Sequence, residues 1–158
     1  MAEKAKPRKG DPADLDQGLL PGLLGYQLRR AQFVVFSEFQ KVMADLDVTP
    51  GQYGVMTLIG RNPGLTQSAL ARAVGVERST MVAVIDGLEK GGFVERRPSP
   101  VDRRSYALVL TDGGMKKLAD LDPMVADHDT HVSAALSSEE KASLMELLER
   151  VCSLKQSR

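Results

Sequence analysis

Between Thr66 and Leu110 the chain sets out an order of elements that few folds can accommodate. Thr66 reads as the cap of a short helix whose inward residues are expected to be Ala69, Leu70 and Val74, with Ala71 small enough for another helix to approach closely. Gly75 then supplies a left-handed turn. A further helix is predicted from Glu77 or Arg78, with Met81, Ile85 and Leu88 facing the core at steps of four and three, and Gly91-Gly92 ends it. Phe93 to Arg97 and Ser105 to Leu110 read as the two strands of a hairpin. Their connection holds two prolines and Asp102-Arg103-Arg104, a stiffened loop with charge at its tip. Helix, glycine turn, helix, strand, basic loop and strand is the order of a winged helix-turn-helix.

The flanks add helices. Residues 1–18 mix Lys, Pro, Gly and Asp without apolar periodicity and are expected to form a mobile tail. Leu28, Ala31, Val35, Phe39, Val42 and Leu46 then form one stripe of a long helix, with Phe33, Phe36 and Met43 as a second stripe beside it. So wide an apolar arc predicts contact both with its own domain and with something else. Thr49-Pro50 reads as cap and first residue of a helix to about Arg61, before the Asn62-Pro63-Gly64 break. Thr111-Asp112 opens a fifth helix to about His131. Ser137-Ser138-Glu139-Glu140 opens a sixth, with Leu144, Leu147, Leu148 and Val151 on its apolar face.

Overall charge says nothing about a partner, because 21 basic residues balance 21 acidic ones. Its distribution does. From Arg61 to Lys117 there are ten Lys or Arg against six Asp or Glu, a surplus of four, whereas Leu118 to Arg158 has four against eight, a deficit of four. The surplus falls on the predicted reading head. At the N-terminus, Leu19-Leu20-Pro21-Gly22-Leu23-Leu24 is too short and broken for a signal peptide or a membrane span, and the single Cys152 excludes an intrachain disulfide. A cytoplasmic protein with no membrane partner is expected.

A helix that reads the major groove needs short polar groups and donors near its N-terminus, since base edges are met there at close range. Arg78 can pair with guanine, Ser79 and Thr80 can grip a phosphate or base edge, and Val82 and Ala83 can meet thymine methyls; each can equally be a solvated surface residue. Thr66 and Gln67, at the start of the preceding helix, join the candidate set. In the wing, Asp102 fits the task of holding Arg104 in one rotamer for the minor groove, leaving Arg103 for phosphates, with Arg96 and Arg97 on the strand leading in. The alternative is an exposed hairpin whose surface ion pairs contribute little.

With these residues in view the chain resembles the MarR family of transcriptional regulators, from about Leu19 to Leu154. The resemblance rests on Leu70 to Val76, Leu88 to Val94, Asp102-Arg103-Arg104 and Leu108 to Thr111. It implies a mostly α fold with a small β-hairpin, about six helices and an antiparallel wing. One domain, 19–158, would hold a winged helix-turn-helix head at 49–111 and dimerisation helices at 19–48 and 112–155. It further implies a homodimer on a pseudo-palindromic double-stranded DNA operator, and an effector pocket between the head and the dimerisation region.

Gly25 to Gln32 resembles the branch of the family that responds to hydroxycinnamoyl-coenzyme A thioesters and controls aromatic-acid breakdown. Tyr26, Gln27, Arg29, Arg30 and Phe33, with Tyr53 on the second helix, are the candidate effector residues. Arginine forks suit carboxylates or phosphates, and aromatic rings suit a phenyl group. Adjacent helical residues point about 100° apart, so Arg29 and Arg30 cannot both line one small cavity; a large ligand reconciles them, and solvation or a partner-subunit carboxylate is the alternative. A sensor of a simple phenolic acid is a second effector reading, and a winged-helix module that binds protein a second functional one.

No enzyme is expected, because no nucleophile elbow, phosphate loop or metalloprotease motif joins the Ser, Asp and His residues. No cofactor is expected beyond an effector such as an aromatic acyl-CoA. His128 and His131 lie three apart on a helix without further ligands and read as ordinary polar positions rather than a metal site, and Cys152 reads as a small packing residue.

Overall fold

Capping side chains set most of the helix starts. In the computed structural model, which describes residues 15–43, 46, 48–99 and 105–153, a 3-10 turn at Leu20–Gly22 precedes α1 (Leu24–Val42). Then come α2 (Pro50–Arg61), α3 (Gln67–Val74), α4 (Arg78–Lys90), β1 (Val94–Pro98), β2 (Tyr106–Leu110), α5 (Asp112–Val132) and α6 (Ser138–Ser153). Thr49 and Gln52 exchange side chain and backbone hydrogen bonds in a capping box at α2, while the Thr66 and Thr111 hydroxyls accept from Ala69 N–H and Gly114 N–H to start α3 and α5. Gly75 closes α3 with φ +75°, as its position predicts.

The described chain divides into two compact units between Phe36 and Ser37. In the first, Leu19, Leu23, Leu24, Phe33, Val34 and Phe36 are exposed. The second holds the buried core. Val55, Met56 and Ile59 of α2, Leu70 and Ala71 of α3, Met81, Ile85 and Leu88 of α4, Val94 of β1 and Leu108 of β2 form one cluster. Phe39, Met43, Val48 and Leu121 form another, with Tyr53 and Phe93 packed against it.

The strands pair antiparallel in register from Val94 opposite Leu110 to Pro98 opposite Tyr106. A third segment, absent from the sequence reading, lies along the far side of β2: Gly64 N–H donates to Leu108 O, Leu108 N–H donates to Leu65 O, and Thr66 bridges Ala107. The α2–α3 connection is thereby stitched to the wing, and Ala107 and Leu108 are both buried.

Four expectations are corrected. The first helix stops at Val42, and Leu46 packs from a turn instead. Val74 is 42% exposed, because the last turn of α3 carries it past the buried cluster; Ala71 takes the inward place. Phe93 is outside the ladder: Gly92 has φ +75° and Phe93 N–H donates back to Leu88 O, so Phe93 finishes α4 before the strand begins. Cys152, expected as a small packing residue, is exposed, while His128 is buried with its ring edge-on to Phe39 at 5.1 Å between centroids. Residues 1–14 of the expected tail lie outside the described residues. No helix among the described residues is long and apolar enough to cross a membrane.

Candidate nucleic-acid interface and effector cleft

Burial of Met81, Ile85 and Leu88 turns the other side of α4 outward, and Arg78, Ser79, Thr80, Val82, Ala83 and Asp86 are all exposed there. Glu77 caps the helix through its backbone, with no side-chain hydrogen bond at the cap. The N-terminal ends of α3 and α4 meet the base of the wing around a cleft of about 220 Å³, lined among others by Thr66, Gln67, Arg78, Arg96 and Tyr106. Four predicted DNA-contact residues from separate places in the sequence thus share one concavity. Thr66 spends its hydroxyl on the α3 cap, 3.2 Å from Ala69 N.

The two strand arginines differ sharply. Among the described residues Arg97 pairs with Glu95 on its own strand, and its side chain is 63% exposed. Arg96 is 23% exposed and is held by α4: Nη2 donates to Asp86 Oδ1 at 2.6 Å and Nη1 to Glu89, while Gln67 Oε1 of α3 stands 3.5 Å from Nη2. The Asp86 hydrogen bond, with the charge of both carboxylates, holds the Arg96 guanidinium above its ordinary pKa. Sequence reading missed Asp86 and Glu89. The available signal was an acid pair three apart on a helix, followed across Gly91-Gly92 by an arginine that the turn folds back. Asp102, Arg103 and Arg104 lie outside the described residues.

A larger cleft of about 570 Å³ opens between α2 and α5, walled by Tyr53, Thr57, Arg61, Leu110, Leu118 and Asp122 among others. That volume falls within the range of small-molecule sites. The Tyr53 hydroxyl donates to Asp122 Oδ1 at 2.9 Å, and burial first, then this carboxylate, pushes the phenol up from its usual pKa. Gly60 also lines the cleft, and a Cβ there would stand 2.9 Å from Leu110 Cδ1. Of the candidate effector residues, only Tyr53 lines this cleft. Within the first unit Tyr26, Gln27 and Arg30 come together: Arg30 lies over the Tyr26 ring at 5.7 Å and reaches Gln27 at 3.5 Å. Tyr26 also donates to Gln17, and Gln27 to Pro21 O, whereas Arg29 turns to Gln32. Phe33 is exposed. Among the described residues no three His, Cys, Asp or Glu side chains group as a metal cage.

A helix-turn-helix with an outward second helix, backed by a hairpin stitched to both, defines a winged-helix DNA-binding regulator of transcription. The MarR family model matches residues 48–106. A putative transcriptional regulatory protein for the hcr operon of Thauera aromatica is 42% identical over 149 residues, covering 94% of this chain and 90% of the relative. The repressor CouR bound to a 23-mer DNA duplex superimposes with a TM-score of 0.83 at 38% identity, covering 88% of this chain and 99% of that one. CouR bound to p-coumaroyl-CoA gives 0.81 at 35% identity, covering 88% and 98%. The chain belongs to the MarR family.

Proposed function

We propose that two copies of the chain form a repressor that holds a pseudo-palindromic operator and releases it when an aromatic acyl-CoA thioester binds. The carrying observation is the outer face of α4, where Arg78, Ser79, Thr80, Val82 and Ala83 stand exposed on a helix anchored by its opposite side. These residues read base edges, while Arg97 on the strand and Arg103 beyond it meet phosphates and Asp102 holds Arg104 for the minor groove. Likeness to the DNA-bound CouR structure supports this reading.

Dimerisation is assigned to 19–48 and 112–155. Leu144, Met145 and Leu147 expose an apolar face on α6, and Phe33, Val34 and Phe36 expose one in the first unit, as expected of surfaces that a second copy covers. Recognition helices related by a two-fold axis then meet successive major grooves about one DNA turn apart.

The effector class is supported by likeness to CouR with p-coumaroyl-CoA. Tyr53 contributes from the α2–α5 cleft, and Tyr26, Gln27, Arg29, Arg30 and Phe33 are assigned as further contacts. A regulator with this target works in the cytoplasm. A gel shift with DNA upstream of the chain's own gene tests the proposal: no sequence-selective shift at moderate salt by a folded dimer overturns it. Release by an aromatic acyl-CoA and not by its free acid supports the thioester; release by the free acid alone selects a phenolic-acid sensor.

A further inference from the structure

A basic residue on a wing strand beside a reading helix looks like a phosphate contact, yet Arg96 is turned inward. Its fork spans Asp86 and Glu89 one turn apart on α4, its backbone N–H also donates to Glu89 Oε1 at 3.4 Å, and Nη2 lies within 3.5 Å of Gln67 on α3. One side chain on β1 therefore ties together both helices of the reading motif. We infer that Arg96 is a positioning residue: it reaches no phosphate, and instead fixes the pitch of α4 against the wing and α3 so that the reading face meets base edges in register. The inference rests on α4 being the reading helix, as proposed above.

Two physical reasons favour it. A guanidinium bridging two carboxylates would have to give up charge-assisted hydrogen bonds to reach a phosphate. It also offsets half of the negative charge of Asp86 and Glu89, which otherwise stands uncompensated on the side of the molecule that meets a polyanion. A planar fork suits the spanning task where an ammonium does not, so Lys is a poor replacement for Arg here.

The test measures binding of the full-length dimer to operator and shuffled duplexes over a salt series, for Arg96→Lys, Arg96→Gln and Asp86→Asn, with Arg78→Ala/Ser79→Ala as a check on α4. Positioning predicts that Arg96→Lys and Asp86→Asn each narrow the operator-over-shuffled ratio by roughly tenfold, about the worth of one lost base contact. The salt slope of Arg96→Gln should match that of the parent. The inference is overturned if Arg96→Lys keeps the ratio, Arg96→Gln flattens the slope by ~0.9, and Asp86→Asn strengthens binding to both duplexes alike. Asp86→Asn removes no packing and answers the question even if an Arg96 variant fails to fold. If the Arg78/Ser79 variant leaves the ratio unchanged, α4 does not read DNA and the reading beneath the inference fails. If that variant narrows the ratio while the Asp86 and Arg96 variants do not, Arg96 alone is misassigned.

Discussion

The hydroxyl of Tyr53 on α2 donates a 2.9 Å hydrogen bond to Asp122 on α5, joining the two walls of the cleft of about 570 Å³. Replacing Tyr53 with Phe removes that link while keeping the ring. The variant should lose about 1 kcal/mol of stability, the usual net worth of such a bond, and should need more acyl-CoA for release. The folded phenol titrates above its unfolded value, so its contribution is complete below the unfolded pKa and is lost as pH rises through the folded one. Melting temperatures of the two proteins should therefore differ at neutral pH and converge in the alkaline range above ~10; a constant difference would show that the phenol is not the source.

Gly114 sits in the first turn of α5 where a Cβ would collide with the Phe93 carbonyl, a backbone group that cannot step aside. Its neighbour Gly113 has only ordinary contacts, 3.5 Å to Gly92 O and 3.6 Å to Thr111 Oγ1. Gly114→Ala should cost about 2 kcal/mol or more by denaturant titration, and Gly113→Ala under ~1 kcal/mol. Equal losses in the two variants would refute the close approach.

Thr66 was a candidate DNA contact, and its hydroxyl is engaged in capping α3. Thr66→Ala should destabilise the protein by ~1 kcal/mol and Thr66→Ser by much less. Weaker operator binding by Thr66→Ala with unchanged stability would instead make it a direct contact.

Leu147, 53% exposed on α6, lies on the apolar face assigned to dimerisation. Leu147→Glu should shift sedimentation toward the monomer while keeping the helical circular dichroism, and operator affinity should fall by at least ~100-fold once two heads no longer act together. A dimer as stable as the parent would move the interface elsewhere.

Local chemistry was legible because it is written in adjacent residues. Thr49, Thr66, Gly75 and Thr111 marked the ends of helices correctly, since caps and left-handed turns depend on one or two side chains. Met81, Ile85 and Leu88 gave the inner face of α4, and with it the outer one. What stayed hidden depends on distant partners. The Leu65 backbone pairs with Leu108, 43 residues on, with no side-chain signature. Arg96 and Arg97 are identical neighbours, and only the fold of the strand over α4 sends one inward and leaves the other in solvent. Asp122 gained its meaning from Tyr53, 69 residues away.

Leu110 closes the wing ladder opposite Val94 and also walls the α2–α5 cleft. One residue later Thr111 binds the chain back to Gly92 and Phe93 and starts α5, so no slack linker separates the hairpin from the cleft's second wall. Leu110 thus belongs to the cleft wall and to the last rung of the wing at once. The wing and the cleft share a border one residue wide, with the cap of α5 directly behind it.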